Sequence, residues 1–136
     1  MNILFVCKYN RFRSRVAEAC FKKINRNKTV YVNSAGLIPG RYPLDRQQVV
    51  ISKQFGLNIN GKPKPVTTEL LRWADILVIA ANDVPLSIFK SKEFKFKIVN
   101  WKIKDETEGN SKNVERIVKQ IIKRIDKLNK ELEKRK

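Results

Sequence analysis

An open α/β sandwich, with a mostly parallel sheet and helices on both faces, is the fold class this 136-residue chain predicts. Three observations carry it. Short continuous apolar runs, suited to strands buried on both faces, alternate with stretches whose apolar residues recur at helical spacing. Clusters of Gly, Pro and Asn separate them. The length is that of one hydrophobic core, and no internal repeat or low-complexity linker divides it, so residues 1–136 are read as one domain.

The elements follow in order. Asn2 to Val6 is an apolar run read as the first strand, ending at Cys7. Val16, Ala17, Cys20, Phe21 and Ile24 form the stripe of a helix from Ser14, its expected cap, to about Asn25. Thr29 to Asn33 reads as a second strand and Gly36 to Pro43 as a loop. Asp45 is expected to cap a helix carrying Val49, Val50 and Phe55, which Gly56 stops. Gly61, Pro63 and Pro65 make Ile59 to Val66 a connection, and Thr67 or Thr68 caps a short helix through Leu71 and Trp73. Asp75 to Ala81 is the third strand and Phe96 to Trp101 the fourth, with a helical piece at Leu86 to Phe89 between them. Last comes a long helix whose stripe runs from Val114 through Ile117, Ile121, Ile125 and Leu128 to Leu132. Its basic face reads as a solvated outer surface rather than a nucleic-acid site.

Composition narrows the chemistry. There is no histidine, which excludes His-dependent triads, His-built zinc sites and phosphohistidine relays. The two cysteines, Cys7 and Cys20, are too few for a disulfide framework or a four-thiolate metal site, and a reducing compartment fits them best. No apolar run approaches the ~20 residues that span a bilayer, and the apolar start ends in Cys7, Lys8 and Tyr9, unlike a signal peptide; the expectation is a cytoplasmic protein without a membrane partner. A net charge of +17 points to anionic partners, phosphate or nucleic acid. Residues 1–28 carry eight cations against Glu18 alone, and residues 111–136 carry ten against four carboxylates. Between them, Asp105, Glu106 and Glu108 form an acidic island.

In such sheets, ligands bind at the carboxyl ends of strands, and the first βα turn is where an anion meets a helix N-terminus. That turn is Cys7-Lys8-Tyr9-Asn10-Arg11-Phe12-Arg13-Ser14. A loop of this length can direct several backbone N–H groups inward and cradle a tetrahedral oxyanion. Cys7 sits at its base, where the helix dipole, N–H donors and a guanidinium favour the nucleophilic thiolate. Arg13, six positions on, has the planar fork that grips two phosphate oxygens. Cys20 lies on the apolar stripe of the following helix and reads as core.

Cysteine, five residues, arginine and serine, extended by Val6, Asn10 and Ala17-Glu18-Ala19, resembles the signature of the low-molecular-weight protein tyrosine phosphatase family, whose fold is shared by thioredoxin-coupled arsenate reductases. Ser34-Ala35-Gly36 after the second strand is a further point of resemblance. The resemblance covers most of the chain. It implies a four-stranded parallel sheet, a reaction without metal or other cofactor, and attack by Cys7 on phosphorus to give a phosphocysteine. It also implies that Arg13 binds phosphate, Ser14 hydrogen-bonds the thiolate and Asn10 holds a strained loop. Lys8, Tyr9, Arg11 and Phe12 complete the phosphate-binding loop, with Tyr9 and Phe12 read at the site entrance or Phe12 as packing inward, and Arg11 over the pocket mouth or in solvent. Family members take a general acid from an Asp-Pro pair after the fourth strand. Here Asp105 is followed by Glu106, and Thr107 and Glu108 replace the aromatic residues that often follow. Asp105 is the assigned acid, with Glu106, Glu108 and Asp83 as competitors. The Gly36 to Gly40 stretch lacks the family's aromatic wall residue, for which Tyr42 is a weak replacement. Relatives that act on phosphoarginine are expected to carry a small Thr where this chain has Arg11.

The expected function is hydrolysis of aryl phosphate monoesters, phosphotyrosine in a protein or a small aryl phosphate, inhibited by phosphate or vanadate. Two alternatives stand beside it. An arsenate reductase needs further thiols to resolve the Cys7 adduct, and since no cysteine follows Cys20 only an external thiol could serve. A non-catalytic module binding nucleic acid or another anion would account for the charge.

Overall fold

The computed structural model describes residues 1–105 and 110–134. Strand β1 spans Asn2–Cys7, β2 Tyr31–Gly36, β3 Ile76–Ala81 and β4 Lys97–Ile103. They form one sheet in the order β2-β1-β3-β4, and every neighbouring pair is parallel. Helices α1 (Arg13–Ile24), α2 (Arg46–Gln54), α3 (Thr68–Trp73) and α4 (Ser111–Glu133) make the connections, with a 3₁₀ turn at Leu86–Phe89.

β1 and β3 hold the two central places, which is why their sequences are almost wholly apolar: Ile3, Leu4, Phe5 and Val6 are fully buried, as are Leu77, Val78 and Ile79. Successive side chains point to opposite faces. Ile3 and Phe5 face the larger core, built with Val16 and Phe21 of α1, Ile51 of α2 and Ile117, Ile121 and Ile125 of α4. Leu4 and Val6 face the smaller one, where Phe89 is buried and Leu70, Leu71 and Trp73 of α3 pack. Burial of each large side chain contributes roughly 1.5–3 kcal/mol. On the outer face of α4, Lys119 and Lys130 pair with Glu115 and Asp126 one turn earlier. No described helix is long and apolar enough to cross a membrane.

The caps expected of Asp45 and Thr67 are present: Asp45 accepts from the Gln48 N–H at 3.0 Å and Thr67 from the Leu70 N–H at 3.1 Å. Ser14 is not a cap. α1 begins one residue earlier with Phe12 at the N-cap and no side-chain cap bond, because the Ser14 hydroxyl is taken by other partners. β2 starts later than Thr29, since Asn27 holds the Thr29 N–H and hydroxyl in a turn, and it runs on to Gly36, which pairs with Cys7. β4 runs beyond Trp101 to Ile103, past Lys102 in a left-handed conformation (φ 55°). That extension brings the Ile103 carbonyl to the end of β3, where it accepts from the Asn82 N–H at 3.0 Å.

Candidate active site

The loop after β1 is tied from one side. The carbonyls of Cys7, Lys8 and Tyr9 accept from the N–H groups of Leu37, Ile38 and Gly40 at 3.0, 2.9 and 2.9 Å. In a trans peptide the N–H lies opposite its carbonyl, so the N–H groups that follow face away from the 37–40 segment. The first turn of α1 adds N–H groups that no side chain caps. Together these make the electropositive cradle expected for an oxyanion.

Asn10 fixes the shape. Its backbone is left-handed (φ 54°), a conformation asparagine tolerates better than most residues, and its side chain is fully buried. Its amide donates to the Ser14 hydroxyl at 2.8 Å and the Ser34 hydroxyl at 3.0 Å, while its oxygen accepts from the Lys64 N–H at 2.9 Å. Gly36 is required beside it, because a Cβ there would lie 2.7 Å from the backbone of Tyr9 and Asn10.

The Ser14 oxygen is also 3.0 Å from the Cys7 sulfur. Since that hydroxyl already accepts from Asn10, its own proton is available to the sulfur. Ser34 is polarised alike: it accepts from Asn10 and donates to Glu18 at 2.6 Å, and Glu18 pairs with Lys22 at 3.0 Å. Cys7 is buried with 2% exposure at the end of the strand. Cys20 is buried in the apolar core, where desolvation pushes its thiol up to about 11 and keeps it protonated at neutral pH.

Arg13 is 2% exposed and held from two strand ends. It donates to the Ile103 carbonyl at 2.9 Å and to Asp83 at 3.1 and 3.3 Å, and lies 3.6 Å from the Asp105 carboxylate. Asp83, named from sequence only as a competitor for the acid, is thus Arg13's close partner beyond β3. Cys7, Tyr9, Arg11, Phe12, Arg13 and Asp105 line one small cavity of about 60 Å³. Gln48 from α2 lines it too, a residue that sequence reasoning missed; as a polar residue three positions after an N-cap, it gives no signal of its 7% exposure before the fold is known.

The remaining expected residues are placed differently. Asn10 and Ser14 are fully buried, with Ser14 against the Cys7 sulfur, while the Lys8 ammonium sits over the Tyr9 ring at 5.2 Å from its centroid. Phe12 packs into the main core as well as lining the wall. Tyr42 is well exposed and is not among the lining residues, so the aromatic wall here is Tyr9 and Phe12. Arg11 lies along Gly40, donates to the Pro43 carbonyl at 3.3 Å, and its Nε is buried. Glu106, Thr107 and Glu108 lie outside the described residues.

The Cys7 sulfur beside the Ser14 hydroxyl, the buried Arg13 and the Asp105 carboxylate are thus gathered at one place in the fold. The family model for low molecular weight phosphotyrosine protein phosphatases matches residues 2–136. The chain belongs to that family. It is 31% identical over 119 residues to the protein-arginine-phosphatase of Bacillus subtilis (strain 168), covering 84% of this chain and 77% of that protein. Among solved structures, the protein tyrosine phosphatase from Entamoeba histolytica superposes with a TM-score of 0.85 at 24% identity, covering 98% and 97% of the two chains. The arsenate reductase from Archaeoglobus fulgidus superposes with a TM-score of 0.74 at 24% identity, covering 93% and 98%. At that identity the two structures establish a shared fold. This low-molecular-weight phosphatase relative therefore has the fold its loop motif implied.

Proposed function

We propose that the chain is a phosphatase that hydrolyses aryl phosphate monoesters, phosphotyrosine foremost, through a phosphocysteine at Cys7. The observation that carries this reading is the placement of the Cys7 sulfur, Arg13 and Asp105 on one cavity. Loop N–H groups and Arg13 hold the three phosphate oxygens. The Cys7 thiolate attacks phosphorus as the bond to the leaving oxygen breaks, and Asp105 gives that oxygen its proton. Water then attacks the phosphocysteine while the Asp105 carboxylate takes its proton; the S–P bond breaks, and thiolate and inorganic phosphate result. Steady-state hydrolysis of nitrophenyl phosphate and a phosphotyrosine peptide in the presence of EDTA tests it. Turnover inhibited competitively by vanadate or phosphate is expected, with Cys7→Ser lowering kcat by ~10⁴ or more. Near wild-type turnover in Cys7→Ser, or loss of wild-type turnover with EDTA, overturns it.

A second reading, phosphoarginine hydrolysis, is favoured by the likeness to the Bacillus subtilis arginine phosphatase. Arg11 weighs against it. Arg11 lines the cavity with its guanidinium donating to the Pro43 carbonyl at 3.3 Å, and a cation there repels a substrate guanidinium but can turn against a phenyl ring for roughly 0.5–1 kcal/mol. Wild type should prefer phosphotyrosine to phosphoarginine peptides, and Arg11→Thr should move the kcat/KM ratio toward phosphoarginine. A wild-type preference for phosphoarginine would establish the second reading.

A further inference from the structure

A second cavity, of about 300 Å³, opens between α1 and the 58–64 connection and shares no lining residue with the one at Cys7. Its charge is one-sided. Arg15, Lys22, Lys62 and Lys64 line it against one carboxylate, Glu18, which is already engaged by Lys22 and Ser34.

Arg15 is the informative member. It is 9% exposed, and its guanidinium donates to the carbonyls of Asn10 (2.8 Å), Ile59 (3.3 Å) and Lys62. It is the cation of the buried set that meets neutral oxygens, whereas Arg13 meets two carboxylates. Carbonyl oxygens satisfy hydrogen bonds but supply no charge, so the countercharge Arg15 feels comes chiefly from Glu18, which Lys22 and Ser34 already engage. Three of its five N–H donors are spent, which leaves two for an occupant. Gly61 makes the room: a Cβ there would lie 2.8 Å from the Arg15 guanidinium.

We infer that this cavity is a second anion site, shaped for a small phosphate-bearing anion such as pyrophosphate or a nucleoside diphosphate. The planar fork of Arg15 suits paired phosphate oxygens, the three lysines suit a charge greater than one, and the volume exceeds what a single oxyanion fills. The site also bears on the phosphate loop, since Arg15 binds the Asn10 carbonyl and the Lys64 N–H binds the Asn10 side chain.

The test is a backbone amide NMR titration of the Cys7→Ser protein, which is incapable of the proposed turnover, with pyrophosphate in one arm and ADP in the other. The amides of residues 58–62 should shift saturably in at least one arm, separately from those of residues 8–12. Lys22→Ala combined with Lys62→Ala should weaken the 58–62 response by roughly tenfold, as expected for losing charge-assisted bonds, and leave the vanadate response of residues 8–12 in place. A tighter response to ADP would assign a nucleotide, an equal one the phosphates alone. Absence of a saturable 58–62 shift in both arms, or an undiminished shift in the double variant, overturns the site. Either result is independent of whether the wild-type protein proves to be a phosphatase.

Discussion

Asn10 shows how much one side chain can carry. It bears the loop's left-handed turn, orients two serine hydroxyls and accepts from Lys64, so that Ser14 is left with a proton for sulfur. The motif spacing made Cys7, Asn10, Arg13 and Ser14 legible, because these residues lie within eight positions and their chemistry is local. Asp83 was not legible as Arg13's partner: the contact spans 70 positions and arises only when the sheet order sets the end of β3 beside β1. Two carboxylates near Arg13 invite a comparison. Asp105→Asn should lower kcat by ~10²–10⁴, with a steeper dependence on the leaving group, because a poor leaving oxygen needs the proton most. Asp83→Asn should instead raise KM and weaken vanadate binding with an unchanged leaving-group dependence, since it acts by holding Arg13. Leaving-group series on both variants check this, and a steepened slope in Asp83→Asn with none in Asp105→Asn would transfer the acid's role.

At the scale of elements, the site is made where strand ends meet a helix start. The periodicities of α1 and α4 and the apolar runs of β1 and β3 were plain in the sequence, since each element's pattern reports its own burial. The ends of β2 and β4 were not. Ser34, Ala35 and Gly36 look like turn residues, yet their burial against the phosphate loop makes them strand. That burial also predicts a mutational effect. Gly36→Ala places a methyl group 2.7 Å from loop backbone, which cannot yield as a flexible side chain would. Stability should fall by ~1–3 kcal/mol, as in overpacked cores. Because the displaced atoms shape the cradle, kcat/KM should fall by roughly 10². Thermal melts and aryl phosphate kinetics read the two effects, and a variant with wild-type kinetics would show that the loop does not depend on this close approach.

Across the whole molecule, charge and site bear on each other. The excess of +17 is carried largely by side chains at the surface, as on α4, while the cavity at Cys7 is lined by Arg11 and Arg13. A field of one sign around an anion-binding cleft raises the encounter rate of anionic substrates, an effect that salt removes as the screening length shrinks from ~30 Å at 0.01 M to ~3 Å at 1 M. Composition made the net charge legible from the start, whereas which cations stand at the cavity needed the fold. Two phosphotyrosine peptides differing only in their flanks, acidic in one and neutral in the other, separate steering from contact. The acidic peptide should have the higher kcat/KM at low ionic strength, by about tenfold, and the advantage should shrink toward unity at high salt. The kcat values should stay alike, because chemistry at Cys7 is shielded inside the cavity and the flanks act before capture. An advantage that persists at 1 M salt would mean that flanking carboxylates make specific contacts at the cavity mouth, and no advantage at any salt would reduce the net charge to a property of the solvated surface alone.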